Sequence, residues 1–141
     1  MPDLKLLSRD PETGRLHLGM PRPPQFVEGI DKLVQIVVLL FMENGGRSIV
    51  TPGRAGGLRA LLGSSIDLED PSELLADVRL IVSRVEQQIK EEQGSTQRPP
   101  SERLRSLQLV DILPDATNPE IEVVVAVINE EQQQAQAVVV T

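Results

Sequence analysis

Residues 107–141, LQLVDILPDATNPEIEVVVAVINEEQQQAQAVVVT, decide the fold. Three successive runs within them follow a period of two, which assigns alternate residues to opposite faces of a strand. The runs are 107–109, 121–128 and 135–140, and the turn-forming segments between them are 114–119 and 129–132. A period of two is typical of β-strands, and short turns between strands favour antiparallel neighbours. The segment therefore predicts a three-stranded antiparallel meander at the end of the chain.

The final segment, 135–141, carries no charged residue. Soluble monomers usually protect an edge strand with Lys, Pro or a bulge, because its unpaired backbone groups recruit other chains. Strand 121–128 is also apolar on both faces beyond Glu122. Either this is a buried central strand of a self-contained domain, or strands of a neighbouring subunit complete the sheet. We favour the second interpretation, which assigns to the interface Ile121, Val123, Val125, Val127, Ala137, Val138, Val139 and Val140.

The clearest helix of the sequence runs from 71 to 92. Asp70 suits the N-cap, Pro71 suits the first helical position, and Glu73 completes a capping-box pattern. Gly94 supplies the stop. A single apolar stripe follows the helix and consists of Leu74, Leu75, Val78, Ile81, Val82, Val85 and Ile89. One face of this helix is therefore expected to pack on the core.

An earlier helix is predicted from 27 to 43, where apolar residues recur at helical spacing but also fill the other faces. Such a helix should be buried nearly all round, although its β-branched residues would also suit a strand. Asn44-Gly45-Gly46 would end it. With helices first and a sheet last, the sequence predicts an α+β fold: two main helices plus a short one, followed by the C-terminal three-stranded antiparallel sheet.

The short helix is expected between glycines at 56–63. This glycine-rich stretch lacks the Gly-Lys-Ser/Thr ending of a Walker loop and the GxGxxG pattern of a dinucleotide loop. We therefore interpret its glycines as turn residues rather than as a phosphate-binding loop.

Residues 1–26 are predicted to be an extended N-terminal arm, and 27–141 a single α+β domain. Turn residues at 10–14 and the prolines at 21–24 disfavour helix in the arm. The arm either lies across its own domain or reaches to a neighbour. His17, the one histidine, falls in the arm, where we interpret it as a surface residue.

The composition excludes several functions. The net charge is −7 and aromatic residues make up 1% of the chain, so nucleic acid is not an expected partner. No cysteine and one histidine leave no basis for a transition-metal site. The carboxylate pairs at 91–92 and 130–131 are interpreted as solvated charge. No membrane span, readable signal peptide, catalytic residue, cofactor or small-molecule substrate is expected.

The order of these pieces resembles the small baseplate wedge protein family of contractile-tailed phages, shared with type VI secretion baseplates and sometimes called lysozyme-like. The matching segments are GIDKLVQI (29–36), GGRS (45–48), PGRAGGLRALL (52–62) and PSERL (100–104). Glu102 and Arg103 match the charged members of the family's Glu-Pro-Arg motif, although here the proline precedes the glutamate. The resemblance covers roughly residues 28–141.

This resemblance implies a structural protein of the virion tail baseplate, made in the host cytoplasm and present in six copies around the tail. Its terminal strands would exchange with the tail sheath protein of the first sheath ring and so nucleate sheath assembly. Other wedge proteins and the tube or hub would be further partners. Glu102 and Arg103 would contact other wedge subunits, or would form a surface ion pair.

Two functions of other classes remain as alternatives. One is a peptidoglycan-hydrolase-like enzyme, which the older name of the family suggests. The other is a cytoplasmic α+β domain that binds a ligand.

Overall fold

The computed structural model describes residues 3–9, 16–20, 23–42, 71–114 and 121–140. Within these ranges the fold is α+β, as the sequence predicts, with two α-helices followed by a three-stranded antiparallel sheet. In chain order the elements are β1 (Asp3–Leu4), β2 (Leu7–Arg9), β3 (Leu16–Leu18), β4 (Phe26–Val27), α1 (Gly29–Met42), α2 (Pro71–Gly94), a 3-10 turn (Pro100–Glu102), β5 (Leu104–Pro114), β6 (Ile121–Asn129) and β7 (Gln134–Val140). The predicted short helix at 56–63, the turn at 44–46 and the N-cap Asp70 lie outside the described residues.

In the main sheet, β6 lies between β5 and β7, and both pairings are antiparallel. Val125 pairs with Leu109 on one side and with Ala137 on the other. The predicted meander is therefore confirmed, and β6 has the central position that the first interpretation of its two apolar faces required. The strand β7 forms one edge of the sheet and β5 forms the other.

The β6–β7 connection is a three-residue hairpin loop. The backbone N–H of Asn129 donates to the carbonyl of Gln133 at 3.1 Å, and that of Gln132 donates to the carbonyl of Asn129 at 3.0 Å. Gln132 has a φ of 64°, the left-handed conformation that such a loop requires next to its bulge. At the bulge, Asn129 Oδ1 accepts the backbone N–H of Gln133 at 2.9 Å, so this N–H also has a hydrogen-bond partner.

Gln132→Gly is expected to raise the free energy of unfolding by about 1 kcal/mol, because glycine adopts this conformation without the Cβ clash that Gln132 experiences. Urea denaturation measures the gain as a higher midpoint at an unchanged slope. Gln132→Ala keeps the clash and is the control. Equal stability of the glycine and alanine variants would contradict the assignment of strain to this residue.

The two helices pack on one face of the sheet. Leu33, Val37 and Phe41 of α1 are fully buried, and Asp31 is the exposed residue of this helix, so the expected burial on nearly all sides is confirmed. The helix begins at Gly29, later than predicted, because Val27 instead pairs with Asp3 in a short strand. On α2 the predicted stripe is confirmed, except that Leu75 is only half-buried.

The core is one aliphatic cluster with a single aromatic ring, that of Phe41. The other phenylalanine, Phe26, is 66% exposed. The sheet contributes to the core the side chains of Leu104, Leu107, Val123, Val125, Val127, Ala137 and Val139. The opposite face of the sheet is more open, with Val124, Ile128 and Val138 half-buried.

The described part of the N-terminal arm lies on its own domain. Its strands form two small antiparallel ribbons, β1 with β4 and β2 with β3. Leu7 is 6% exposed and belongs to the core. The Gln35 side chain of α1 binds the backbone of the arm. Its Oε1 accepts the N–H of Leu6 at 2.7 Å, and its Nε2 donates to the carbonyl of Leu4 at 3.0 Å. Of the two paths proposed for the arm, these residues follow the intramolecular one.

Candidate interaction site at the sheet edges

Side chains of α2 cap two backbone amides on the β5 edge of the sheet. Glu86 Oε2 accepts the backbone N–H of Leu107 at 2.8 Å, and Gln93 Oε1 accepts that of Leu104 at 2.8 Å. The strand also contains two register shifts and ends at Pro114. Bulges, a proline and covering side chains are the means by which proteins prevent an edge from pairing with another strand.

The β7 strand contains no register shift in its pairing with β6 and no proline. The bond from Asn129 N–H to Gln133 sets the alternation of backbone groups along the hairpin. By this alternation Ala135 and Ala137 direct their N–H groups to β6, whereas Gln134 and Val138 direct theirs away from the sheet. The β6–β7 register is continuous, and among the described strands β7 pairs with β6 alone.

The predicted interface side chains lie mostly in the core. Five of them are at most 1% exposed and face the helices: Val123, Val125, Val127, Ala137 and Val139. Val138 lies on the opposite face and is half-buried. Ile121 and Val140 belong to strands, but their side chains lie outside the described residues. Contact with another subunit at this edge would therefore use the backbone of β7 rather than the valine side chains.

Glu102 is buried, with 4% of its side chain exposed, and its Oε2 lies 3.3 Å from Lys32 Nζ. The interpretation of Glu102 and Arg103 as surface ions is therefore wrong for Glu102. Arg103 does form a surface pair, since its Nε lies 3.6 Å from Glu130 Oε1 and both side chains are more than a third exposed. Their predicted contact with other wedge subunits stays a prediction.

The 3-10 turn that carries Glu102 is a junction between a helix end and the hairpin tip. Gln93 Nε2 donates to the carbonyl of Glu102 at 3.0 Å, and Asn129 Nδ2 donates to that of Ser101 at 2.9 Å. The backbone N–H of Glu130 donates to the carbonyl of Arg103 at 3.0 Å. Gln93 and Asn129 gave no signal in the sequence, because a polar residue at a helix end or in a turn is normally solvated.

The described residues offer little for catalysis. They contain no cluster of three or more His, Cys, Asp or Glu side chains that would hold a metal ion. None of their helices is long and apolar enough to cross a membrane. The pairs Glu91–Glu92 and Glu130–Glu131 are exposed, as predicted. The structure describes the backbone of His17 in β3 but not its side chain.

One open groove of about 240 Å³ lies between the start of α2 and the end of β5. Its lining is mainly apolar, with Arg79 and Asp111 as its charged members. No histidine or acidic pair lines it among the described residues. The groove therefore presents a surface but no arrangement of acid, base or nucleophile.

Comparison of the chain with protein-family models, with curated proteins and with solved structures gives no match.

Proposed function

We propose that the chain is a structural component of a contractile phage tail baseplate, which joins the wedge to the tube and sheath and nucleates sheath assembly. In this proposal β7 receives a strand from a subunit of the first sheath ring. The observation that carries it is the asymmetry of the sheet. Side chains of Glu86 and Gln93 cap two backbone amides of the irregular β5 edge, whereas the regular strand β7 pairs with β6 and with no second strand among the described residues.

A continuous edge strand is suited to this task. Strand addition derives its affinity from a ladder of main-chain hydrogen bonds, which requires a regular strand with unblocked N–H and C=O groups. The β6–β7 register runs without a shift from Gln134 to Val140, and β7 contains no Lys and no Pro. The regularity of β7 therefore suits the formation of such a ladder.

The sequence resemblance supplies the identity of the partner and the assembly. It implies six copies in the baseplate, contact with other wedge proteins and the tube or hub, and a location in the virion tail. Arg103 is the member of its motif that a second wedge subunit would reach, because Glu102 is buried against Lys32. The proposal assigns the chain no catalytic role, no cofactor, and no nucleic-acid or membrane partner.

The purified chain is expected to form a complex with the tail sheath protein encoded in the same genome, measured by size-exclusion chromatography with light scattering. Strand exchange between one chain and one sheath subunit predicts equal numbers of each. Sheath assembly should also start sooner when the chain is added. A sheath protein that neither binds the chain nor assembles faster with it would overturn the proposal.

A further inference from the structure

The helix α2 runs along β5 and contacts its backbone at regular intervals. Gln93 Oε1 accepts the N–H of Leu104, and Glu86 Oε2 accepts that of Leu107. Seven residues of a helix and three residues of a strand both advance about 10 Å, so these contacts remain in step along the two elements. One further interval of seven residues before Glu86, the same side of the helix carries Arg79.

Arg79 ends this series of capped amides, because a guanidinium group contains hydrogen-bond donors and no acceptor. It therefore cannot bind a backbone N–H as Glu86 and Gln93 do. Its side chain is exposed and lines the open groove of about 240 Å³ between α2 and residues 109–112 of β5. The ion pairs of the described residues do not include Arg79.

The backbone of Leu109 directs a second donor to the same side of β5. The N–H of Leu107 points away from β6, since α2 accepts it. The β5–β6 register is continuous from Leu107 to Leu109, so the alternation of an antiparallel pair turns the N–H of Leu109 the same way. Side chains of the described residues accept the amides of Leu104, Leu107 and Ile112, but not that of Leu109. Two donors, Arg79 and the Leu109 N–H, therefore face one groove.

Between these donors the groove is apolar. Its walls are formed mainly by the side chains of Leu74, Leu75, Leu109, Val110 and Ile112. Val110 is 51% exposed, so the apolar surface continues to the rim. A cavity of about 150 Å³ accommodates a benzene molecule, so this groove has room for one leucine-sized side chain.

Asp111 is the acidic member of the lining. Its Oδ1 accepts the N–H of Ile112 at 2.8 Å, so this carboxylate is turned to its own backbone. The groove therefore combines an apolar pocket with two donors directed to it, and the ligand that fits this set carries an acceptor, best an anionic one, beside an apolar side chain.

The edge of β5 admits only a short stretch of another chain here. Glu86 occupies the amide of Leu107 on one side of Leu109, and a register shift follows Leu109 on the other. Beyond the shift, the amide of Ile112 is occupied by Asp111. A ladder of several residues cannot form between these obstacles, whereas a single residue at the end of a chain has space.

We infer that this groove binds the C-terminal residue of a partner chain that ends in Leu, Ile or Val. The aliphatic side chain enters the apolar pocket, and the terminal carboxylate accepts hydrogen bonds from Arg79 and from the N–H of Leu109. Capture of a terminal carboxylate by backbone N–H groups is a recurrent mode of peptide recognition. The inference goes beyond the proposed function and does not depend on it, because it uses the opposite edge of the sheet.

The test titrates the full chain with short peptides and follows the backbone amide signals of Leu109 and Val110 by NMR. The probe is acetyl-Gly-Gly-Leu with a free carboxylate. Its amidated form is expected to bind about tenfold more weakly, because it lacks the charge-assisted bonds. Acetyl-Gly-Gly-Gly with a free carboxylate is also expected to bind about tenfold more weakly, because nothing enters the apolar pocket.

Variants of the chain identify the cation. Arg79→Gln is expected to weaken binding of the free-carboxylate leucine peptide about tenfold and to remove its advantage over the amidated form. Arg84→Gln is the matched control, because Arg84 is exposed on the same helix and does not line the groove. It should bind within about twofold of the unmodified chain, since solvent and salt screen a distant charge.

Three results would overturn the inference. The first is equal binding of the free and amidated leucine peptides, or binding of neither. The second is equal weakening by Arg79→Gln and Arg84→Gln, which would indicate attraction by general charge. The third is binding of acetyl-Gly-Leu-Glu-Gly-amide as tightly as the free-carboxylate leucine peptide, which would show that an internal acidic residue suffices. None of these results bears on binding of the sheath protein to β7.

Discussion

Lys32→Met is expected to lower the free energy of unfolding by about 3 kcal/mol, since removing one partner of a buried ion pair leaves the other charge without compensation. Lys32 Nζ lies 3.3 Å from Glu102 Oε2, and the side chains are 9% and 4% exposed. The pair joins α1 to the 3-10 turn that precedes the sheet. Urea denaturation at constant pH, analysed by linear extrapolation, measures the loss.

Two further variants isolate the pair. Lys32→Met combined with Glu102→Gln removes both charges and should recover most of the loss, because uncharged groups of similar volume often replace a buried ion pair at little cost. Asp3→Asn removes the exposed partner of Lys32 and should change stability by less than about 0.5 kcal/mol. A single Lys32→Met variant that loses less than about 1 kcal/mol would show that Glu102 is solvated.

Val138→Pro is expected to weaken binding of the sheath protein by about 10–100-fold while the chain stays folded. By the alternation of the hairpin, the N–H of Val138 points away from β6, so proline removes a donor that the sheet itself does not use. A bond lost from the intermolecular ladder costs about 1–3 kcal/mol, which corresponds to that range of affinity. Titration calorimetry or surface-immobilised sheath protein measures the difference.

Val138→Ala is the matched control, because it shortens the same side chain and keeps the N–H. It should bind within about threefold of the unmodified chain. Thermal unfolding of both variants checks that the β6–β7 pairing survives. Binding by Val138→Pro that equals binding by Val138→Ala would mean that the outer ladder of β7 is not the contact. Deletion of 135–141 is a poorer test, since Ala137 and Val139 are core residues.

The strong periodicities of the sequence predicted the helices and the sheet, and the departures have local physical causes. The strand β5 begins at Leu104, before the predicted run of 107–109, and the register shift between Leu104 and Ser106 places both Leu104 and Leu107 in the core. The start of α1 was displaced because Val27 pairs with Asp3, a contact between residues distant in sequence. Strands of two or three residues carry no period of their own, so the arm ribbons were not predictable.

The candidate site was predictable in outline only. The uncharged segment 135–141 indicated an edge strand, and β7 is one. The sequence did not indicate which edge of the sheet would accept a strand. That distinction depends on Glu86 and Gln93, which look like solvent-facing helix residues in the sequence and bind the backbone of β5 in the structure. The buried roles of Lys32 and Gln35 were likewise hidden, because a polar residue within an apolar helix does not disclose its partner.

The most direct measurement is amide hydrogen exchange of the chain alone and in complex with the tail sheath protein. We expect new protection at the outward amides of Gln134 and Val138 on binding. Ala135 and Ala137, which already face β6, should change little. Protection confined to other surfaces, with Gln134 and Val138 exchanging as in the free chain, would contradict the claim that β7 accepts a strand from another subunit.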